Sequence, residues 1–182
     1  MSEDNTKQEL IAALRNCGAV KFGDFTLASG KKSKYYIDIK KASTDPHTLR
    51  IIAKQAADKI RAAGFDIVGG VALGGVPIAT AVSLETGLPL LLVRKEAKDH
   101  GTGGRLVGDM EDGAHVVLLE DVTTSGGSVL DGISALRDAG GVVDTVITVV
   151  DREENAMDRL DSIGVNLIPL VRSSDLVVPD RY

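Results

Sequence analysis

The densest run of chemically capable residues is Val116-Val117-Leu118-Leu119-Glu120-Asp121-Val122-Thr123-Thr124-Ser125-Gly126-Gly127-Ser128. An apolar stretch ends in two adjacent carboxylates, passes through hydroxyl and glycine residues, and enters a segment that suits a helix. Such a loop at a helix start offers consecutive backbone N–H groups, hydroxyl donors and the positive end of a helix dipole, the parts of a phosphate cradle. Glu120 and Asp121 select what carries the phosphate. They repel a bare polyphosphate but accept hydrogen bonds from vicinal hydroxyls or sit beside a bound cation, so a ribose phosphate satisfies both halves. Taken singly, Thr123 or Ser125 is as well explained as a helix cap.

A second run, from Arg94 to Arg105, sets Arg94, Lys95, Lys98 and Arg105 against Glu96 and Asp99, a local excess of cations in a chain of net charge -5. With Gly101, Gly103 and Gly104 as hinges, it suits a segment that closes over a pyrophosphate and keeps water out. The same composition fits a solvated surface loop. Gly70-Val71-Ala72-Leu73-Gly74-Gly75-Val76-Pro77 reads as a strand-to-helix turn, with Pro77 in a first helical turn. Arg152, in Asp151-Arg152-Glu153, carries a guanidinium suited to two-point binding of a carboxylate, and equally to a surface ion pair. Gly30-Lys31 is no P-loop, because Lys32 follows and Phe25 stands where the first glycine belongs; no G-x-G-x-x-G follows a strand.

These runs need elements to hold them. Val/Ile/Leu stretches at 65–73, 88–94, 114–120, 142–151 and 165–171 read as strands, and amphipathic or capped segments at 46–63, 77–85, 128–139 and 153–163 as helices. Alternation of the two predicts an α/β fold with a parallel sheet covered on both faces. Residues 6–16 read as a first helix with Thr6 and Glu9 in capping-box spacing, and residues 21–40 as a hairpin-like flap turning at Ser29-Gly30-Lys31-Lys32. Residues 95–113 lack periodicity and read as a working loop.

A length of 182 residues predicts one domain able to fold unaided. Net acidity and 3% aromatics argue against a broad nucleic-acid surface. The charge-free stretch 67–84 is broken by glycines and Pro77, which argues against a membrane span. The lone Cys17, with a polar start lacking a signal core, predicts a cytoplasmic protein, and the end at Tyr182 predicts no fused second catalytic domain. His47 and His115 carry no motif and read as structural.

The run 116–128 resembles the phosphoribosyl-pyrophosphate (PRPP) signature of the type I phosphoribosyltransferases. Arg94-Lys95-Glu96-Ala97-Lys98-Asp99-His100-Gly101-Thr102-Gly103-Gly104 is similar to the mobile catalytic loop of their orotate-using, pyrimidine-pathway branch. Residues 25–38 resemble the hood that covers the base in that branch. The resemblance runs in order from Lys21 to Leu176. It implies a type I phosphoribosyltransferase fold: a central parallel sheet flanked by helices, with a small amino-terminal hood. One domain would occupy residues 1–182, with hood about 1–45 plus the carboxy-terminal tail, and core about 46–171.

The implied reaction is orotate and PRPP to orotidine 5′-monophosphate and pyrophosphate, a pentosyl transfer in UMP biosynthesis, with Mg²⁺ carried by PRPP and water near Glu120 and Asp121. It assigns PRPP to Arg94, Lys95, Lys98, His100, Glu120, Asp121, Val122, Thr123, Thr124, Ser125, Gly126, Gly127 and Ser128, and catalysis to Lys98, His100 and Asp121. It assigns orotate to Thr124, Arg152, Ser29, Gly30, Lys31 and Tyr36, with Tyr35 packed nearby. It also implies a homodimer whose segment 94–105 reaches the neighbouring site, and no nucleic-acid or membrane partner. Two positions depart from the well-known bacterial branch, which has lysines where this chain has Ala28 and Gly74. A purine or uracil phosphoribosyltransferase shares the PRPP run but not the hood or Arg152. A PRPP-sensing regulator on the same fold needs a DNA-binding element for which the acidic chain leaves about 20 residues before the hood.

Overall fold

A computed structural model describes residues 3–26, 32–98 and 104–177. The elements are α1 (Glu3–Asn16), β1 (Val20–Thr26), β2 (Lys32–Ile37), α2 (Ile39–Thr44), α3 (Pro46–Arg61), β3 (Ile67–Val71), α4 (Gly75–Thr86), β4 (Leu90–Lys98), β5 (Gly104–Val107), β6 (His115–Thr123), α5 (Gly127–Asp138), β7 (Val142–Asp151), α6 (Ala156–Asp161), β8 (Asn166–Arg172) and α7 (Ser173–Leu176).

The main sheet has strand order β5-β4-β3-β6-β7-β8. Strands β4, β3, β6, β7 and β8 run parallel, and β5 closes one edge antiparallel to β4. Both faces of the strands are covered, which explains why they read as continuous apolar runs. In β6 the period of two is still visible: Val117 and Leu119 join the core that contains Leu10, Ile52, Ile60 and Ile78, whereas Val116 and Leu118 join the core that contains Ile133, Leu136 and Leu160. Helices α1, α3 and α4 therefore cover one face and α5 and α6 the other. From β3 the chain moves outward to β4, while β6, β7 and β8 extend the opposite way. The strand order reverses between β3 and β6, the crevice where open α/β sheets hold ligands at their carboxyl ends.

The expected flap is an antiparallel pair of β1 and β2 forming a separate sheet, with a register break between Phe22 and Phe25. The rings of Phe25 and Tyr36 lie 5.7 Å apart, Tyr36 remains exposed, and Tyr35 packs on the core.

Three local expectations are corrected. The first helix begins at Glu3, so Thr6 lies inside it and no Thr6–Glu9 capping box starts it; Asp4 in its first turn suits the positive end of the helix dipole. Residues 95–113 are not one aperiodic loop, since β4 runs on to Lys98 and returns as β5. Its charged sequence hid the strand because an edge hairpin has too little buried surface to impose an apolar alternation. Glu120 and Asp121 do not end their strand, because pairing of β6 with β7 continues to Thr123 opposite Asp151.

Candidate active site

At the β3–β6 crevice the Glu120 carboxyl is buried, at 5% exposure, beside the half-buried Asp121. The Asp121 amide donates to Glu120 Oε1 at 3.1 Å, and the Val122 amide donates to Asp121 Oδ1 at 2.9 Å. Burial first, then the hydrogen bond and charge of Asp121, push the Glu120 carboxyl up to about 9, while Lys95 on β4 acts in the opposite direction. Lys95 is thus near enough to act on the acidic pair from the neighbouring basic arm.

The turn after β3 approaches the same pair. A Cβ on Gly74 would overlap the Asp121 carboxylate, so the missing side chain lets that carboxylate lie over the turn. The overlapping atoms end a side chain that can rotate, so Gly74→Ala preserves the fold and displaces Asp121. We expect about a tenfold loss in kcat/KM for PRPP with little change in Tm, read by steady-state kinetics and thermal melting.

Beyond β6, the loop enters α5 through Gly126, whose φ of 77° is left-handed, and no side chain caps the helix. Its first-turn amides are therefore not occupied by a cap. Thr124, Ser125, Gly127 and Ser128 are exposed around this start, and Arg159 of α6 donates to the Ser125 carbonyl, holding the loop from below. Thr123 differs: it is 1% exposed and its hydroxyl donates to Asp151 Oδ1 at 3.0 Å, so its side chain ties β6 to β7.

Arg152 follows β7, and its amide donates to the Thr123 carbonyl at 2.8 Å. Its side chain is 17% exposed, with Nε 3.3 Å from Glu154 Oε1. That distance gives charge attraction, yet the buried Nε makes no well-aligned hydrogen bond, so the pair is weak. The next residue, Glu153, has φ 59° and is held from the tail. Its carboxylate accepts the Ser174 amide at 2.9 Å, the Ser173 hydroxyl at 2.9 Å and the Ser174 hydroxyl at 3.1 Å, which together lower its pKa.

The structure thus brings Lys95, Glu120, Asp121, Gly74 and the loop 123–128 to one crevice, with Arg152 joined to that loop through Thr123. Arg94 and Lys95 stand at the base of the arm, partly buried and exposed respectively. The Lys98 side chain, His100, Ser29, Gly30 and Lys31 lie outside the described residues. Sequence reasoning missed two features: the grip of α7 on Glu153, and the commitment of Arg105, counted as a free cation, to Asp131 of α5. The first had no local signal, and the second needed the arm's register. A separate cavity of about 850 Å³ between α1, α3 and β8 is lined by both signs, including Lys7 paired with Asp175 at 2.6 Å, and offers no net anion site.

The phosphoribosyl transferase domain model matches residues 38–168. The orotate phosphoribosyltransferase of Methanosarcina mazei is 65% identical over 96% of this chain and 93% of its own. The chain belongs to the orotate phosphoribosyltransferase family. The crystal structure of Mycobacterium tuberculosis H37Rv orotate phosphoribosyltransferase in complex with PRPP superposes with a TM-score of 0.80 at 29% identity, covering 95% of this chain and 99% of that one. The structure of Leishmania donovani UMP synthase gives a TM-score of 0.81 at 34% identity over 92% of this chain. The chain spans only 36% of that protein's length. The central parallel sheet flanked by helices is thus the fold of that family.

Proposed function

We propose that this protein transfers the phosphoribosyl group of PRPP to orotate in pyrimidine biosynthesis. A ring nitrogen of orotate loses its proton and bonds to the anomeric carbon of the ribose, the bond from that carbon to pyrophosphate breaks, and pyrophosphate leaves with the electron pair and takes up the proton. The observation that carries this reading is the convergence of an uncapped helix start, an acidic pair and a basic arm at the crevice where the strand order reverses. The amides of Gly126, Gly127 and Ser128, with the Thr124 and Ser125 hydroxyls, receive the 5′-phosphate. Asp121, lying over the β3–α4 turn, accepts from the ribose hydroxyls, and Arg94, Lys95, Lys98 and His100 neutralise the departing pyrophosphate. Arg152 pairs with the orotate carboxylate, and the hood residues Ser29, Gly30, Lys31 and Tyr36 cover the base.

No group of three or more His, Cys, Asp or Glu among the described residues makes a closed cation cage. The half-buried Asp121 carboxylate, beside Glu120, fits a hydrated cation delivered on phosphate oxygens. Glu120 and Asp121 would face such a Mg²⁺, which supplies charge neutralisation to pyrophosphate.

We assign the pieces to one domain over residues 1–182, hood about 1–45 and core about 46–171. We further propose a homodimer with segment 94–105 shared between sites. No helix among the described residues is long and apolar enough to cross a membrane. The single cysteine, unable to form an internal disulfide, supports a cytoplasmic setting.

Incubation with PRPP, Mg²⁺ and each of orotate, uracil and hypoxanthine tests the function. Consumption of orotate is expected, and consumption of uracil or hypoxanthine in its place would overturn the assignment. Lys98→Ala should lower turnover more than PRPP affinity, measured by single-turnover kinetics and calorimetry; unchanged turnover removes the arm from the chemistry.

A further inference from the structure

The pairing of β4 with β5 contains an irregularity that singles out one residue. Val93 pairs with Leu106 and Lys98 with Gly104, so residues 94–97 on one strand oppose Arg105 alone on the other. Such an excess would leave the stretch carrying Arg94 and Lys95 with few strand bonds to define its path. The Arg105 side chain supplies the definition. Its Nε donates to the Arg94 carbonyl at 3.0 Å, its Nη1 to Asp131 Oδ1 at 3.0 Å, and its Nη2 to Asp131 Oδ2. One planar guanidinium therefore holds the first residue of the excursion and, in two-point fashion, the helix α5.

Asp131 lies one turn into α5, whose start at Gly127 belongs to the proposed phosphate cradle. The pair thus joins the stretch that carries Lys95, which already acts on Glu120 of the same crevice, to the helix of the proposed phosphate cradle. With side chains 26% and 57% exposed, it is a poor source of stability. Its two-point geometry suits it to fixing a direction.

We infer that Arg105 and Asp131 are positioning residues that hold the excursion 94–97 in register with the phosphate-cradle helix, so that Lys95 and the cradle address one PRPP molecule. This rests on the proposed assignment of both segments to PRPP.

The test uses the full chain and the variants Arg105→Lys, Asp131→Asn and their combination. Amide hydrogen exchange of residues 94–98 is measured without ligand, PRPP affinity by calorimetry with Mg²⁺, and orotate KM and Tm alongside. We expect faster exchange at 94–98 in each single variant and PRPP binding weakened about tenfold. Orotate KM should stay unchanged, Tm should stay within about 3 °C of the parent, and the double variant should be no worse than the worse single.

Unchanged exchange overturns the proposal, as does faster exchange with full PRPP affinity. An equal rise in orotate KM, or losses that multiply in the double variant, also overturns it. If the parent chain binds no PRPP, the functional assignment fails and this role fails with it, whereas a parent that binds PRPP while the variants bind equally well sinks this proposal alone.

Discussion

Replacing Arg152 by alanine is expected to lower kcat/KM for orotate by about a hundredfold while leaving PRPP affinity within about threefold. The side chain is mostly buried at the end of β7, and its only ionic partner among the described residues, Glu154, is misaligned for a hydrogen bond. Its terminal nitrogens make no hydrogen bond to any described residue. A guanidinium held this way forms two charge-assisted bonds to an incoming carboxylate, each worth roughly 1.5–3 kcal/mol. The backbone around it is fixed independently, by the Arg152 amide on Thr123 and by Glu153 on α7. The variant should therefore keep its loop and lose only the contact. Arg152→Lys should recover part of the charge but not the two-point geometry. Steady-state kinetics with orotate and with uracil decide it: an equal loss for both bases would mean that Arg152 supports the loop and does not read the carboxylate.

Glu120→Gln should flatten the dependence of stability on alkaline pH. The folded protein holds this carboxyl up to about 9, against an ordinary value of 4.5. A folded value above the unfolded one means that stability is greatest below the unfolded value. Between about 4.5 and about 9 the unfolded chain loses a proton that the folded chain keeps, so stability falls through that window. The ceiling on the slope is about 1.4 kcal/mol per pH unit. A realistic loss between pH 5 and pH 8 is about 1–3 kcal/mol after relaxation and the attraction of Lys95 are allowed for. Glutamine is the same size, stays neutral and still offers an oxygen to the Asp121 amide. Urea midpoints at pH 5, 7 and 8 give the readout: the advantage of Gln over Glu should grow with pH, and a constant difference would show that Glu120 is ionised in the folded chain.

Much of the crevice was legible because its parts are contiguous. The apolar run 116–119, the acids and the Thr/Ser/Gly loop follow one another within a single strand–loop–helix unit, and spacing alone places such residues together. The parallel sheet was legible for a similar reason, since strands covered on both faces must be apolar throughout. Legibility failed where partners come from elsewhere. Thr123 looked like a phosphate donor until the pairing of β6 with β7 set its hydroxyl against Asp151. Arg105 looked like a mobile cation until the register of β4 and β5 set it against Asp131. The strand through 95–98 was hidden because an exposed edge imposes no hydrophobic period.

By itself, then, the sequence determined most of the strands and helices and the glycine-rich turns between them, because those depend on neighbours a few residues away. Only the tertiary structure decided that Gly74 lies against the Asp121 carboxylate, that the Glu120 carboxyl is buried, that Glu153 is gripped by α7 and that Arg105 is committed to α5. Each of these depends on what another strand or helix brings within a few ångströms, and burial and apposition across the sheet leave no trace in local spacing.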